Sequence, residues 1–383
     1  MSGFRKLLLS TTVLAAFLSA AWVGAQATHA SPAATKPPLP KQLNRLVKQF
    51  AKTHPRFPGV ALSVRGAGMT WAGSAGFADR ASKKPLMTDA TFRIASVTKT
   101  FTAAAVLRLV EDGKLGLDDP IARRLSPATV AILRSGGYQP DTIKLRHLLQ
   151  HTSGLYDYAA DQAYESFVVS HPRHRWTRAE QVRFAMTHGK PIGAPGARFH
   201  YADTGYVLLG EILERATGGG LAAAYRSLLG FDRLGLDETY LETLEPPARH
   251  AKPRAHQYLG TLDTTAFDPS FDLYGGGGLV STVDDLTRFY RALLGGRVFT
   301  HPATLRTMLG KERLLRTADL GMGIFSESIG LEPCWAHSGF WGTTVASCRR
   351  LGVTMAMTVN QAESFDAATQ ELEGRLLRLF GGG

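Results

Sequence analysis

Cysteine is nearly absent from this chain: 383 residues carry 2, Cys334 and Cys348. That excludes a disulfide-built scaffold, so a hydrophobic core must hold the fold. Long apolar runs are missing beyond the first thirty residues, and no later stretch reaches the ~18 apolar residues of a spanning helix. The H-E-x-x-H zinc signature does not occur. His147 and His151 are four apart, a spacing that can bind zinc on a helix, but His171, His174, His188 and His200 show no ligand pattern. Gly275 to Gly278 lacks the Lys-Ser or Lys-Thr of a phosphate loop and reads as tight backbone near a cleft. No metal and no cofactor are expected. Acidic residues are outnumbered, 32 against 44 Lys and Arg, for a net charge of +12. The basic residues are scattered and no nucleic-acid motif accompanies them, so they read as a solvated cationic surface suited to anionic surroundings such as cell-envelope polymers.

What is present is a globular balance of 44% hydrophobic and 20% charged residues. Arg5 and Lys6, an apolar run from Leu7 to Gly24, and Ala25-Gln26-Ala27 together form the layout of a secretory signal peptide over residues 1–27. The expected mature protein is exported, periplasmic or secreted, with no stable membrane anchor. Residues 28–40 are an Ala- and Pro-rich lead-in. Leu43, Leu46, Val47 and Phe50 then recur at helical spacing, and two short strands, Val60 to Val64 and Met69 to Trp71, flank a Gly66-Ala67-Gly68 turn. A helix is expected from Ser96 to Asp112, ended by Gly113, with Phe101, Ala105 and Leu109 on one buried face. Further helices are expected near 145–150, 178–186, 206–216, 283–294 and 302–309. Strands at 334–337, 343–348 and 352–359 and a helix at 367–380 close the chain. Two strands at one end cannot bury themselves alone. The expected fold is therefore α/β (α+β): an antiparallel sheet flanked by helices and built from both chain ends, residues 41–94 and 321–383. A mainly helical lobe, residues 95–320, is inserted, and residues 41–383 form the hydrolytic domain.

Ser96-Val97-Thr98-Lys99 opens the helix, and residues three apart share a face. A serine hydroxyl is a weak nucleophile until a base takes its proton, and a lysine can serve if its pKa is lowered. The helix N-terminus adds free N–H groups that favour developing negative charge. Alone, the same pattern equally describes a helix-capping serine. Two further pieces support chemistry. Tyr201-Ala202-Asp203 precedes an apolar helix, and the Tyr201 phenol relays protons if cations lower its pKa. Ser338-Gly339-Phe340, after His337, offers a strand-edge N–H to an oxyanion.

At these residues the chain resembles the serine β-lactamase and penicillin-binding-protein superfamily. The similar branch contains class C β-lactamases, D-alanyl-D-alanine carboxypeptidases and related esterases, marked by S-x-x-K, Y-x-N and K-T-G or H-T-G. The resemblance runs from about Phe57 to Phe380 and includes Phe92-Arg93-Ile94-Ala95-Ser96, Leu148-Leu149-Gln150-His151-Thr152-Ser153-Gly154-Leu155 and Gly276-Gly277-Gly278-Leu279-Val280-Ser281-Thr282. It implies that Ser96 is acylated and that Lys99 holds and activates it. It makes Tyr201 a proton relay and deacylation base, and puts His337 in place of the third-motif lysine. Ser338 would hydrogen-bond substrate, Gly339 would let it approach the backbone, and Phe340 would lend its N–H to the oxyanion hole. The substrate is then a small molecule or a peptide, including peptidoglycan-derived ones.

Two departures bear on substrate. Asp203 stands where the family usually has Asn; a carboxylate accepts but cannot donate, and beside Lys99 it favours the charged ammonium. His337 removes a permanent positive charge, which favours neutral esters or amides over carboxylate-bearing substrates. Cys334 and Cys348 would face each other if the hairpin centres near Trp341, as a disulfide or as two buried thiols. The acyl-binding walls are expected in a variable segment around Tyr156 to Trp176. Carboxylesterase, D-peptidase and β-lactamase activities stay open, as does a low-turnover penicillin-binding receptor or an envelope-binding protein.

Overall fold

The computed structural model describes residues 37–247, 252–310, 319–363 and 365–381; the expected signal peptide and residues 28–36 of the lead-in lie outside the described residues. The apolar stripe of Leu43, Leu46, Val47 and Phe50 is buried in a helix, Leu39–Thr53. It starts two residues before the expected Lys41, because Pro40 fits a first helical turn where a missing N–H costs nothing. The strands Gly59–Gly66 and Met69–Asp79 follow, the second far longer than its apolar start suggested. Gly66 at the turn has φ +121°, and a Cβ there would lie 1.9 Å from the Gly352 carbonyl oxygen, so only glycine fits.

Among the described residues the main sheet has eight strands. In spatial order they are Lys84–Pro85, Met69–Asp79, Gly59–Gly66, Val353–Thr358, Thr343–Cys348, Glu332–Gly339, Phe325–Ile329 and Asp319–Leu320. All neighbours run antiparallel. Gly59–Gly66 pairs directly with Val353–Thr358, so the two chain ends meet at the sheet's centre. Phe325–Ile329 was not foreseen, since Phe-Ser-Glu-Ser-Ile has too little apolar alternation to read as a strand.

Alternation along each strand divides the interior in two. Val60, Leu62, Val64, Val353, Met355 and Met357 face the helices Leu39–Thr53 and Asp366–Leu379. Ala61, Val345 and Ala356 face the helical lobe. On that side Ser63 meets Thr287 of the helix Val283–Leu294, oxygen to oxygen at 3.4 Å. With both faces covered, the two strands nearest the centre, Thr343–Cys348 and Val353–Thr358, are buried at every position.

The helix carrying Lys99, Thr98–Glu111, is central to the inserted lobe. Phe101, Ala105 and Leu109 are buried as expected, and burial extends around the helix: every residue from Thr98 to Leu107 is buried, and Phe101 stacks on Phe289 at 3.6 Å between ring centres. Its three successive alanines, Ala103 to Ala105, let neighbours pack on all sides. A small three-stranded sheet of Phe92–Arg93, Leu279–Ser281 and Tyr240–Leu241 stands at its N-terminal end.

The hairpin register pairs His337 with Val345 and Ser338 with Thr344, which centres the turn on Trp341. Cys334 and Cys348 therefore fall opposite one another and are disulfide-bonded, Cα to Cα 4.2 Å, across a sequence separation of 14. Closing a loop of this length stabilises by about 3 kcal/mol, chiefly by restricting the unfolded chain. Replacing both cysteines with alanine should lower the urea-unfolding free energy by about that amount. An unchanged unfolding curve would show that the bridge adds nothing.

Candidate active site

The small sheet aims the serine. The Ile94 N–H donates to the Leu279 carbonyl at 3.0 Å, and Ala95 then turns into the left-handed region, φ +44°. A non-glycine residue there is strained, and such strain persists where packing over-determines it. The expected helix start at Ser96 is resolved into a 3-10 turn, Ala95–Val97, leading into the α-helix at Thr98. Ser96 thus sits where the first N–H groups of a helix are left without intrahelical partners.

One turn on, Lys99 is wholly buried. Its Nζ donates to Ser96 Oγ at 2.9 Å, to Asp203 Oδ1 at 2.5 Å and to the Gly276 carbonyl at 2.8 Å. An ammonium has three protons, and all three are committed. Asp203 is the first residue of the helix Asp203–Thr217, where the helix dipole favours a carboxylate. Its N–H donates to Asp157 Oδ1 at 3.0 Å. Burial alone would push the Lys99 ammonium down, but the Asp203 carboxylate and Tyr201 outweigh it, and its pKa ends above the ordinary lysine value. The resting side chain is a charged donor, as the Asp203 departure suggested.

Tyr201 lies over the same centre, its ring 5.0 Å from Lys99 Nζ and stacked on His151 at 4.2 Å. The condition of a pKa lowered by cations is not met: burial raises the phenol more than Lys99 pulls it down, so the net shift is upward. His151 accepts from the Ala202 N–H through Nδ1 at 3.1 Å, and burial together with Lys99 and His337 keeps it neutral. The zinc spacing of His147 and His151 dissolves here, because the helix Leu145–Leu149 ends before His151, whose φ is +54°.

His337 is also buried and neutral, driven down to about 3 by burial first and Lys99 second. Its Nδ1 lies 2.7 Å from the Ser338 carbonyl. With His337 neutral, that contact makes Nδ1 the protonated nitrogen. Ser338 is not brought to the cleft. It pairs with Thr344, whose hydroxyl donates to Glu373 of the terminal helix at 2.7 Å, so both side chains occupy the far face of the sheet. Gly339 packs against the nucleophile turn so closely that a Cβ would sit 2.2 Å from the Ile94 carbonyl oxygen. Phe325–Ile329 pairs no further than Ala336, so the outer edge of His337, Ser338 and Gly339 is unpaired beside Ser96.

A cavity of about 330 Å³ opens at Ser96, Tyr201 and Asp203. Tyr158, Tyr164 and Val168 form one wall, inside the segment expected to supply it; Phe267 and Phe271 form another that was not anticipated, and Phe340 and Trp341 cover it. Asp157, Asp272 and Glu165 also line it, and among the described residues no Lys, Arg or His does. Asp157 and Asp272 are each pushed up to about 7, by burial first and by the Asp203 carboxylate next. Both were missed, since neither belongs to a motif. The glycine run has its role here: a Cβ on Gly277 would lie 2.0 Å from Asp272 Oδ1, while Gly276 gives its carbonyl to Lys99.

Comparison with known proteins identifies the family and the fold. The chain is 29% identical to penicillin-binding protein 4* of Bacillus subtilis over 79% of its own length and 66%, just under two thirds, of that protein. It is 28% identical to the esterase EstB of Burkholderia gladioli, covering 85% of this chain and 91% of the esterase. Among solved structures, D-amino acid amidase of Ochrobactrum anthropi SV3 superposes with a TM-score of 0.75 at 27% identity, over 90% of this chain and 98% of that one. The Beta-lactamase family model matches residues 43–378. The chain therefore belongs to the Beta-lactamase family of serine hydrolases.

Proposed function

We propose that this protein is an exported serine hydrolase that acylates Ser96 and prefers ester or amide substrates with a free ammonium on the acyl group. The observation that carries the reading is the Lys99 ammonium held between Ser96 Oγ and Asp203 Oδ1. As Ser96 Oγ bonds to the acyl carbon, its proton passes to Lys99 while Lys99 passes one to Asp203. The N–H groups of Ser96 and Phe340 receive the developing oxyanion. The Tyr201 phenol, kept protonated by its raised pKa, protonates the leaving group as the acyl bond breaks. The proton held between Lys99 and Asp203 then restores Tyr201, and water releases the acyl group by the reverse route.

The substrate preference follows from the sign of the cavity. Asp157 and Asp272 line it without a cation among its walls, so an ammonium is attracted and a carboxylate repelled. Asp157 is buried and Asp272 half-buried beside an apolar, aromatic wall, where the local dielectric is below that of water and such pairing is stronger. The amidase neighbour, solved with D-phenylalanine, supports the same reading. Export is supported by the leader-like first 27 residues and by the Cys334–Cys348 disulfide, which suits an oxidising compartment.

Four outcomes test this. Ser96→Ala should abolish turnover of a D-phenylalanine p-nitroanilide, a loss of about 10³-fold or more, and the intact-mass adduct seen with wild type. A stable Ser96 adduct without turnover would establish a penicillin-binding-type receptor instead. The free-amine substrate should exceed its N-acetyl counterpart in kcat/KM by about tenfold or more, and Asp157→Asn with Asp272→Asn should erase the difference. That advantage should grow as pH rises through about 7, where both carboxylates ionise, and fall once the substrate amine loses its proton near pH ~8. Asp203→Asn removes the group that raises the Lys99 pKa, so Lys99 should titrate at lower pH in NMR of ¹³Cε-labelled lysine. An unmoved titration would overturn the charged-relay mechanism.

A further inference from the structure

Five arginines converge at the end of the sheet away from the cleft. Arg65 lies at the end of Gly59–Gly66, Arg288 and Arg291 stand one turn apart on Val283–Leu294, and Arg297 follows that helix. Arg349 lies in the turn between Thr343–Cys348 and Val353–Thr358. Two adjoining hollows of about 500 and 490 Å³ open among them, with Arg291 and Arg297 common to both. Among the described residues no acidic side chain lines either hollow. Asp284 is shared by Arg65 at 2.5 Å and Arg288 at 2.8 Å. Among the described residues no carboxylate pairs with Arg291, Arg297 or Arg349. The helix C-terminus accounts for Arg291, since its dipole favours one cation there. It does not account for Arg65 and Arg349, brought to the same place from two strand ends.

We propose that this end of the fold binds a flexible, phosphate-bearing polyanion, with successive phosphates taken by the two hollows. Guanidinium groups present paired donors that match phosphate oxygens, and recessed sites engage a chain that can bend into them. The walls argue against nucleic acid, because among the described residues no aromatic ring lines either hollow to stack a base. They argue equally against a membrane, because none of the exposed large hydrophobic residues, from Phe77 to Phe340, borders them. The geometry leaves catalysis free. The six-residue strand Thr343–Cys348 begins beside the Gly339–Gly342 turn at the cleft and ends at Cys348, next to Arg349, about 17 Å away at the usual rise.

The test uses long-chain inorganic polyphosphate as probe, with binding to the full protein followed by fluorescence anisotropy across a salt series. Wild type should bind at physiological salt. Arg291→Gln/Arg297→Gln/Arg349→Gln should weaken binding by about tenfold or more and flatten the slope of log K against log salt by about 2, some 0.7 for each lost contact. Its turnover of a small ester should stay at the wild-type level, which also reports that it is folded. A control triple, Arg123→Gln/Arg183→Gln/Arg306→Gln, should bind as wild type. Equal loss in the control, no binding by wild type, or tighter wild-type binding to single-stranded DNA or anionic vesicles would each overturn the proposal.

Discussion

A fully buried ammonium is the constraint around which the rest of the structure is arranged. Lys99 cannot sit uncharged-for in the interior: an isolated cation there is far costlier than the core could offset, so it must be paired and hydrogen-bonded. Three segments distant in sequence supply the partners: the nucleophile turn, the start of the helix Asp203–Thr217 and the glycine run. Each is shaped by that duty. Asp203 is held by the N–H bond it gives Asp157. Gly276 has no side chain because Asp203 Oδ1 would lie 2.7 Å from its Cβ. Ser96 is oriented because it is the third acceptor.

The same charge sets the electrostatics outward from the centre. Its field helps keep His151 and His337 neutral. The Asp203 carboxylate that pairs with it raises Asp157 and Asp272 in turn. The cleft is thereby acidic although the chain as a whole carries a charge of +12. Opposite signs sit at opposite ends of one sheet, the carboxylates by the Gly339–Gly342 turn and the arginines by the Arg349 turn. Net charge alone would have assigned the cleft the wrong polarity.

The legible part of this site was the part that recurs as local pattern. Ser96 and Lys99 share a helical turn, and Tyr201 and Asp203 announce an apolar helix. The sheet built from both chain ends was legible because the terminal strands could not be buried otherwise. Ser338 was misjudged because a triplet fixes neighbours in sequence, not which face of a strand each takes. Asp157, Asp272, Phe267 and Phe271 were invisible because they converge only through tertiary packing. The direction of the Tyr201 shift was not legible for a related reason, since burial depends on everything packed around it.

The pairing of Ala61 with Thr358 joins the beginning and end of the domain at the sheet's centre. Nearly the whole polypeptide must therefore exist before the central ladder can close, a topology that folds slowly because distant segments must first find each other. Until Val353–Thr358 arrives, Val60, Leu62 and Val64 have no sheet partner on that side and their apolar face stays open. A ribosome-bound chain of this design cannot lock into its native core early, because the strand that closes the central ladder is made late. The same delay makes the last thirty residues indispensable: a chain truncated before them is an unfinished sheet with a sticky centre.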